Sequence, residues 1–210
     1  MQKLLERIGK TRKSRTGRVI AKRMREFTAL GKKPSNDLFK ELCFCILTAN
    51  YSAEGGIKIQ DEIGSCFAAL PEKNLAKKLK ALGHRFPNTR AKYISEARYC
   101  RNTLKETLKS FKNGKEAREW LVKNVKGLGY KEASHLLRNI GYNDVAIIDF
   151  HIIDLLAKNS LIAKPKTKSL SRKRYLEIEK TLAKIAGKSH LSLGELDLYL
   201  WYMETGKVLK

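Results

Sequence analysis

The chain has 210 residues, with 44 Lys and Arg against 21 Asp and Glu, for a formal net charge of +23. Its 42% of apolar residues suffices for a core and excludes a wholly disordered chain, in a length that holds one domain or two small ones. No run approaches the ~18 apolar residues of a membrane span, and residues 1–15 lack the apolar stretch of a secretion signal, so an intracellular protein of the cytoplasm or nucleoid is expected, with nucleic acid as the first candidate for a polyanionic partner.

The first 33 residues are strongly basic, and Arg12, Arg15, Arg18, Lys22 and Arg25 form a run suited to a solvated face or to phosphate contacts without base readout. Apolar residues then recur at three- and four-residue steps. Leu38, Leu42, Cys45, Ile46 and Ala49 predict a helix with Ser35 as its N-cap. Leu75, Leu79 and Leu82 mark a second, ended near Gly83. Ala91, Ile94, Ala97 and Arg98 mark a third, opening after Pro87, and Ala117, Trp120, Leu121 and Asn124 a fourth. Ala133, Leu136, Leu137 and Ile140 form a fifth, stopped by Gly141. A helix starting at Asp149 carries Leu155 and Leu156, and two more run over residues 176–185 and 193–204.

Strand alternation is hard to find, and no long Gly/Ser linker occurs, so an all-α fold with short connections is expected. Shifts in composition near Lys33 and at Gly141–Asp144 suggest two helical lobes with a cleft between them: residues 33–141, and both chain ends together, residues 1–32 and 142–210. Cys43, Cys45, Cys66 and Cys100 fit no zinc or iron–sulfur spacing, and the four histidines form no metal-binding pair, so reduced thiols and no metal held by side chains are expected.

The segment Glu116–Asp154 carries the chemistry. Gly127 and Gly129 bracket Leu128 between two helical patterns. Glycines permit a tight reversal, Leu128 can pin it from inside, and the free N–H groups opening the next helix suit a phosphate. This is the helix-hairpin-helix pattern, although an ordinary glycine turn shares the Gly-x-Gly signature. Lys131 sits in the first turn of that helix, where the dipole disfavours a cation; a neutral amine there can attack carbon, and a lysine contacting a DNA phosphate would occupy the same place. Asp149 stands inside the apolar run Val145–Phe150. It suits an N-cap, and a rigid capping carboxylate can also stabilise a developing sugar cation.

Gly127-Leu128-Gly129-Tyr130-Lys131 followed by Ile148-Asp149-Phe150-His151 resembles the hairpin and Gly/Pro–Asp loop of the helix-hairpin-helix DNA glycosylase superfamily, except that Ile147 and Ile148 stand where Gly or Pro is usual. Residues 39–60, Arg85–Ile94 and Gly206–Lys210 narrow the resemblance to the archaeal-type 8-oxoguanine DNA glycosylase/AP lyases; the absence of late cysteines fits that class better than its iron–sulfur relatives. The resemblance implies that Lys131 is the nucleophile on the deoxyribose anomeric carbon and forms a Schiff base, that β-elimination then nicks the strand, and that Asp149 assists. It implies that Asn50 fills the gap left by the extruded nucleotide, although a helix-ending Asn would look the same. Phe86, Asp197, Trp201 and Lys210 are the candidates for the base pocket, although aromatics on helices are mostly core.

Gly127, Gly129 and His151 are the candidates for DNA phosphate. No cofactor is required, and a monovalent or calcium ion is expected at the hairpin carbonyls when DNA is bound. The implied partner is duplex DNA containing 8-oxoguanine, met by a monomer. A related glycosylase for oxidised pyrimidines, a non-catalytic DNA-binding hairpin protein and a ribosomal-type RNA binder remain the alternatives.

Overall fold

The structure, a computed structural model, describes residues 1–165, 167 and 169–210. Every regular element among the described residues is helical, as expected. In chain order they are α1 (Gln2–Arg12), α2 (Arg15–Lys32), α3 (Ser35–Thr48), α4 (Ala53–Ile63), α5 (Glu72–Ala81), α6 (Pro87–Ala97), α7 (Leu104–Lys109), α8 (Gly114–Asn124), α9 (Tyr130–Asn139), α10 (Phe150–Lys158), α11 (Arg172–Ser189) and α12 (Leu193–Thr205), with short 3-10 turns at Gly64–Ala68 and Arg98–Cys100. No helix among them is long and apolar enough to cross a membrane.

Buried apolar side chains gather in two clusters. One runs from Leu38 to Ile140 and takes in Val145. The other joins Leu4, Ile8, Ile20 and Phe27 of the first two helices to residues from Ala146 to Leu200. The basic run lies on the solvent side of α1 and α2, with all five cations exposed, while Gly17, Ile20 and Phe27 form the buried face of α2.

The elements follow from local chemistry. Pro87 opens α6 at its first position, where a missing N–H costs nothing. Gly83 and Gly141 follow α5 and α9 with φ of +80° and +96°, ending those helices at the predicted places. Asp149 caps α10, its carboxylate accepting the Ile152 N–H at 2.9 Å. Ser35 differs from its expected role. Pro34 is the cap and Ser35 the first helical residue, because its hydroxyl is engaged elsewhere: it donates to Glu106 at 3.0 Å and accepts the Lys105 N–H at 3.1 Å, tying α3 to α7.

Candidate active site

Helices α8 and α9 and the turn Val125–Gly129 form the expected hairpin. Gly127 has φ +88°, and a Cβ there would lie 2.5 Å from the Tyr93 ring, so both backbone and space require glycine. Gly129 is different: its φ of −89° is open to any residue, and it serves as the cap of α9. Leu128 is buried, pinning the turn. The cap offers no side-chain acceptor, which leaves the first N–H groups of α9 without a partner of that kind.

Three residues of α9, spaced at i, i+4 and i+7, line an open cavity of about 710 Å³: Lys131, His135 and Arg138. From α12 come Asp197 and Trp201, one turn apart, and from the start of α10 come Asp149, Phe150 and His151. Asn50, between α3 and α4, and Lys210, beyond α12, complete the wall. The cavity therefore gathers Lys131, Asp149, Asn50, His151, Asp197, Trp201 and Lys210 from five separate stretches of chain. Phe86 is not in its lining. It is an exposed residue preceding α6, its ring lying beside the guanidinium groups of Arg85 and Arg90 at 5.1 and 5.9 Å, and it is Arg85 that reaches the cavity. The hydrogen bond from the Phe86 N–H to His84 Nδ1, at 3.0 Å, fixes this turn, while the His84 ring packs on Tyr51.

Asp149 is half-buried rather than enclosed, because the apolar run before it stops at the cavity edge. Val145, Ala146, Ile147 and Ile148 are buried, so their backbone groups need internal partners. Helix α11 supplies them for Ala146 and Ile148. Glu179 accepts the Ala146 N–H at 2.8 Å. The Tyr175 hydroxyl donates to the Ala146 carbonyl at 2.7 Å and accepts the Ile148 N–H at 3.3 Å. The segment is held by these side chains although Ile147 and Ile148 replace the usual Gly or Pro.

Lys131 Nζ lies 3.4 Å from Glu132 Oε1, and its side chain is 31% exposed. Asn50 is exposed and adopts a left-handed φ of +58°, a conformation Asn tolerates better than most residues. Phe150, which the sequence pattern did not single out, is 60% exposed, and its ring lies 4.0 Å from that of His151, which meets Trp201 edge-on at 6.2 Å.

Burial pushes the Asp197 carboxyl up to about 7; the neighbouring Arg138, 3.4 Å away, pulls it down, Asp149 raises it further and Lys131 lowers it. Burial also pushes the His135 imidazole well below its ordinary range, reinforced by Arg138 and Lys131, so it is neutral at physiological pH. Because the Asp197 carboxyl is raised above its unfolded value, the stability it contributes is present at pH 4 and is lost as pH rises toward 7. The difference in melting temperature, Asp197→Asn minus wild type, is therefore expected to grow more positive between pH 4 and pH 7 and then level off, the total corresponding to roughly 2–4 kcal/mol. Thermal unfolding of both proteins across that range checks the sign; a difference that shrinks or stays flat contradicts it.

Residues 20–191 match the family model described as 8-oxoguanine DNA glycosylase. The 8-oxoguanine DNA glycosylase/AP lyase of Methanocaldococcus jannaschii is 55% identical over 208 residues, 99% of each chain. That of Korarchaeum cryptofilum is 55% identical over 197 residues, 94% of this chain and 93% of the relative. The crystal structure of the Methanocaldococcus jannaschii 8-oxoguanine glycosylase/lyase in complex with a 15mer DNA containing 8-oxoguanine superposes with a TM-score of 0.95 at 54% identity, covering 99% of both chains. With the hairpin, the cavity and these relatives in agreement, the chain belongs to the 8-oxoguanine DNA glycosylase family.

Proposed function

We propose that this protein is a bifunctional repair enzyme that removes 8-oxoguanine from duplex DNA and nicks the strand at the resulting site. The observation that carries the proposal is the meeting of Lys131, from the hairpin, with Asp149, from the cap of α10, in one cavity. In this scheme the target nucleotide is extruded from the stack. The Lys131 amine bonds to C1′ as the glycosidic C–N bond breaks, and the electron pair leaves with the base. Asp149 stabilises the positive charge that develops on the sugar. Ring opening gives a Schiff base; removal of a C2′ proton then expels the 3′ phosphate by β-elimination.

The remaining roles follow from position. Trp201 offers the extruded base a face to stack on, and Asp197 stands at its edge. Asn50, at the exposed bend between α3 and α4, fills the vacated position in the duplex. Gly127, Gly129 and His151 meet phosphates. The cleft lies between two lobes, residues 33–141 on one side and residues 1–32 with 142–210 on the other, and the protein acts as a monomer. The carbonyls of Lys126, Gly127 and Leu128 accept no hydrogen bond from the described residues, and this neutral oxygen set fits the monovalent or calcium ion that the family pattern attaches to the hairpin. Such an ion would position the phosphate there.

A single-turnover panel tests the substrate. Duplexes carrying 8-oxoguanine, unmodified guanine or an oxidised pyrimidine are compared at one enzyme concentration. Excision of 8-oxoguanine is expected to be fastest by at least ~10-fold. Faster release of the pyrimidine lesion would transfer the chain to the rival substrate class.

A further inference from the structure

Glu41 is a carboxylate in the midst of the apolar helix α3, only 3% exposed. A buried charge is costly unless paired and hydrogen-bonded, and three donors converge on this one. Asn139 Nδ2 donates to it at 2.6 Å, Gln60 Nε2 at 3.1 Å and Lys210 Nζ at 3.0 Å. Among the described residues, Lys210 is its one ion-pair partner. The same ammonium hydrogen-bonds Gln60 Oε1 and stands 4.2 Å from the centroid of the Phe44 ring. It is thus enclosed by an anion, an amide oxygen and an aromatic face.

This cage has a consequence for the cavity. Lys210 and Leu209 line it, yet the Lys210 ammonium is taken up by α3 and α4. What remains for the cavity is the main chain at Lys210. Gly206, at φ +72°, ends α12, and the Lys207 ammonium meets Glu54 of α4 at 2.7 Å. The tail is therefore fastened at two points to the elements opposite α12, and the stronger fastening is the buried one.

We propose that Glu41, with Gln60, is a positioning residue for base selectivity: by clamping Lys210 it fixes residues 207–210 as a wall of the cavity, and discrimination between 8-oxoguanine and guanine depends on that wall being held. The inference rests on the proposed function and adds to it a residue that does not itself line the cavity. It assigns no part of the sugar chemistry to Glu41.

The test uses the full chain as wild type, Glu41→Gln, Lys210→Met and the double variant. Single-turnover excision is measured on 8-oxoguanine and guanine duplexes, and strand cleavage on a duplex with a preformed abasic site, which has no base to select. Glu41→Gln keeps the shape and the hydrogen-bonding capacity but loses the charge. It is expected to lower the 8-oxoguanine-to-guanine ratio by ~10-fold while leaving abasic-site cleavage within about twofold of wild type. Lys210→Met is expected to lower the ratio alike, and the double variant to be no worse than either single one, because both remove one clamp. An unchanged ratio in Glu41→Gln overturns the inference. So does an equal loss on abasic DNA, which would mark a merely structural residue, or additive losses in the double variant. Wild type that cleaves abasic DNA but does not release 8-oxoguanine overturns the proposed function itself, and this inference with it.

Discussion

Lys131→Gln is expected to abolish both base release and strand cleavage, with the single-turnover rate on 8-oxoguanine duplex falling by ~10³-fold or more. Glutamine keeps the length and polarity of the side chain but has no nucleophilic amine. Lys131 lines the cavity, is partly exposed and has Glu132 as its ion-pair partner, so its loss removes little packing and melting should move slightly. Duplex binding is expected to persist, since the hairpin N–H groups and the surface cations remain. Asp149→Asn should behave differently. The amide oxygen can still accept the Ile152 N–H, so α10 stays capped, while the charge that steadies the sugar cation is gone. Gel-resolved cleavage alongside a binding titration separates the cases. A Lys131→Gln protein that cuts at near wild-type rate would remove the nucleophile from the scheme.

The second large effect concerns stability. Arg118 of α8 and Glu179 of α11 form a two-pronged ion pair at 2.6 and 2.8 Å, with side-chain exposures of 1% and 7%. The guanidinium also donates to Ser134 at 3.2 Å and lies 5.1 Å from the Tyr130 ring centroid. The pair links a helix of the hairpin to the helix that holds the segment before Asp149. Glu179→Gln leaves a buried guanidinium without its counter-charge, expected to cost ~3–5 kcal/mol in urea unfolding. Replacing both members by apolar residues, Arg118→Met with Glu179→Leu, should recover much of that. The recovery stays incomplete because the Ala146 N–H loses its acceptor, a penalty of roughly 1–3 kcal/mol. Cleavage should remain slower in the double variant, since the backbone leading to Asp149 has lost one of its holders. A double variant as unstable as Glu179→Gln would contradict this division of roles.

The residues with a local signature were the ones legible in the sequence. Leu136, Leu137 and Gly141 announced a helix and its end because the cause lies within a few residues; Lys131 stood out by its place in the first turn after the glycine reversal, and Asp149 against an apolar background. Helices α1 and α2 were read only as charge, because their dense cations mask a sparse apolar face of Leu4, Ile8, Ile20 and Phe27. Helix α4 was hidden by Gly55 and Gly56; a Cβ at Gly56 would sit 3.0 Å from the Thr48 side chain, so close packing on α3 explains what resembled a breaker. Phe86 stood out by its aromatic character, and the turn anchored by His84 sets it beside Arg85, which lines the cavity. His135 and Arg138 could have been found from their helical spacing to Lys131. Glu41 could not, since its partner stands 169 residues away and no local pattern announces a clamp closed by the tertiary fold.

The account stands on a covalent bond between Lys131 and the sugar. Reduction with borohydride during reaction with 8-oxoguanine duplex, followed by proteolysis and mass mapping of the cross-linked peptide, tests it most directly. The expected result is a stable protein–DNA adduct whose added mass maps to Lys131 and which is missing from Lys131→Gln. An adduct on another residue, or cleavage without any adduct, would contradict it.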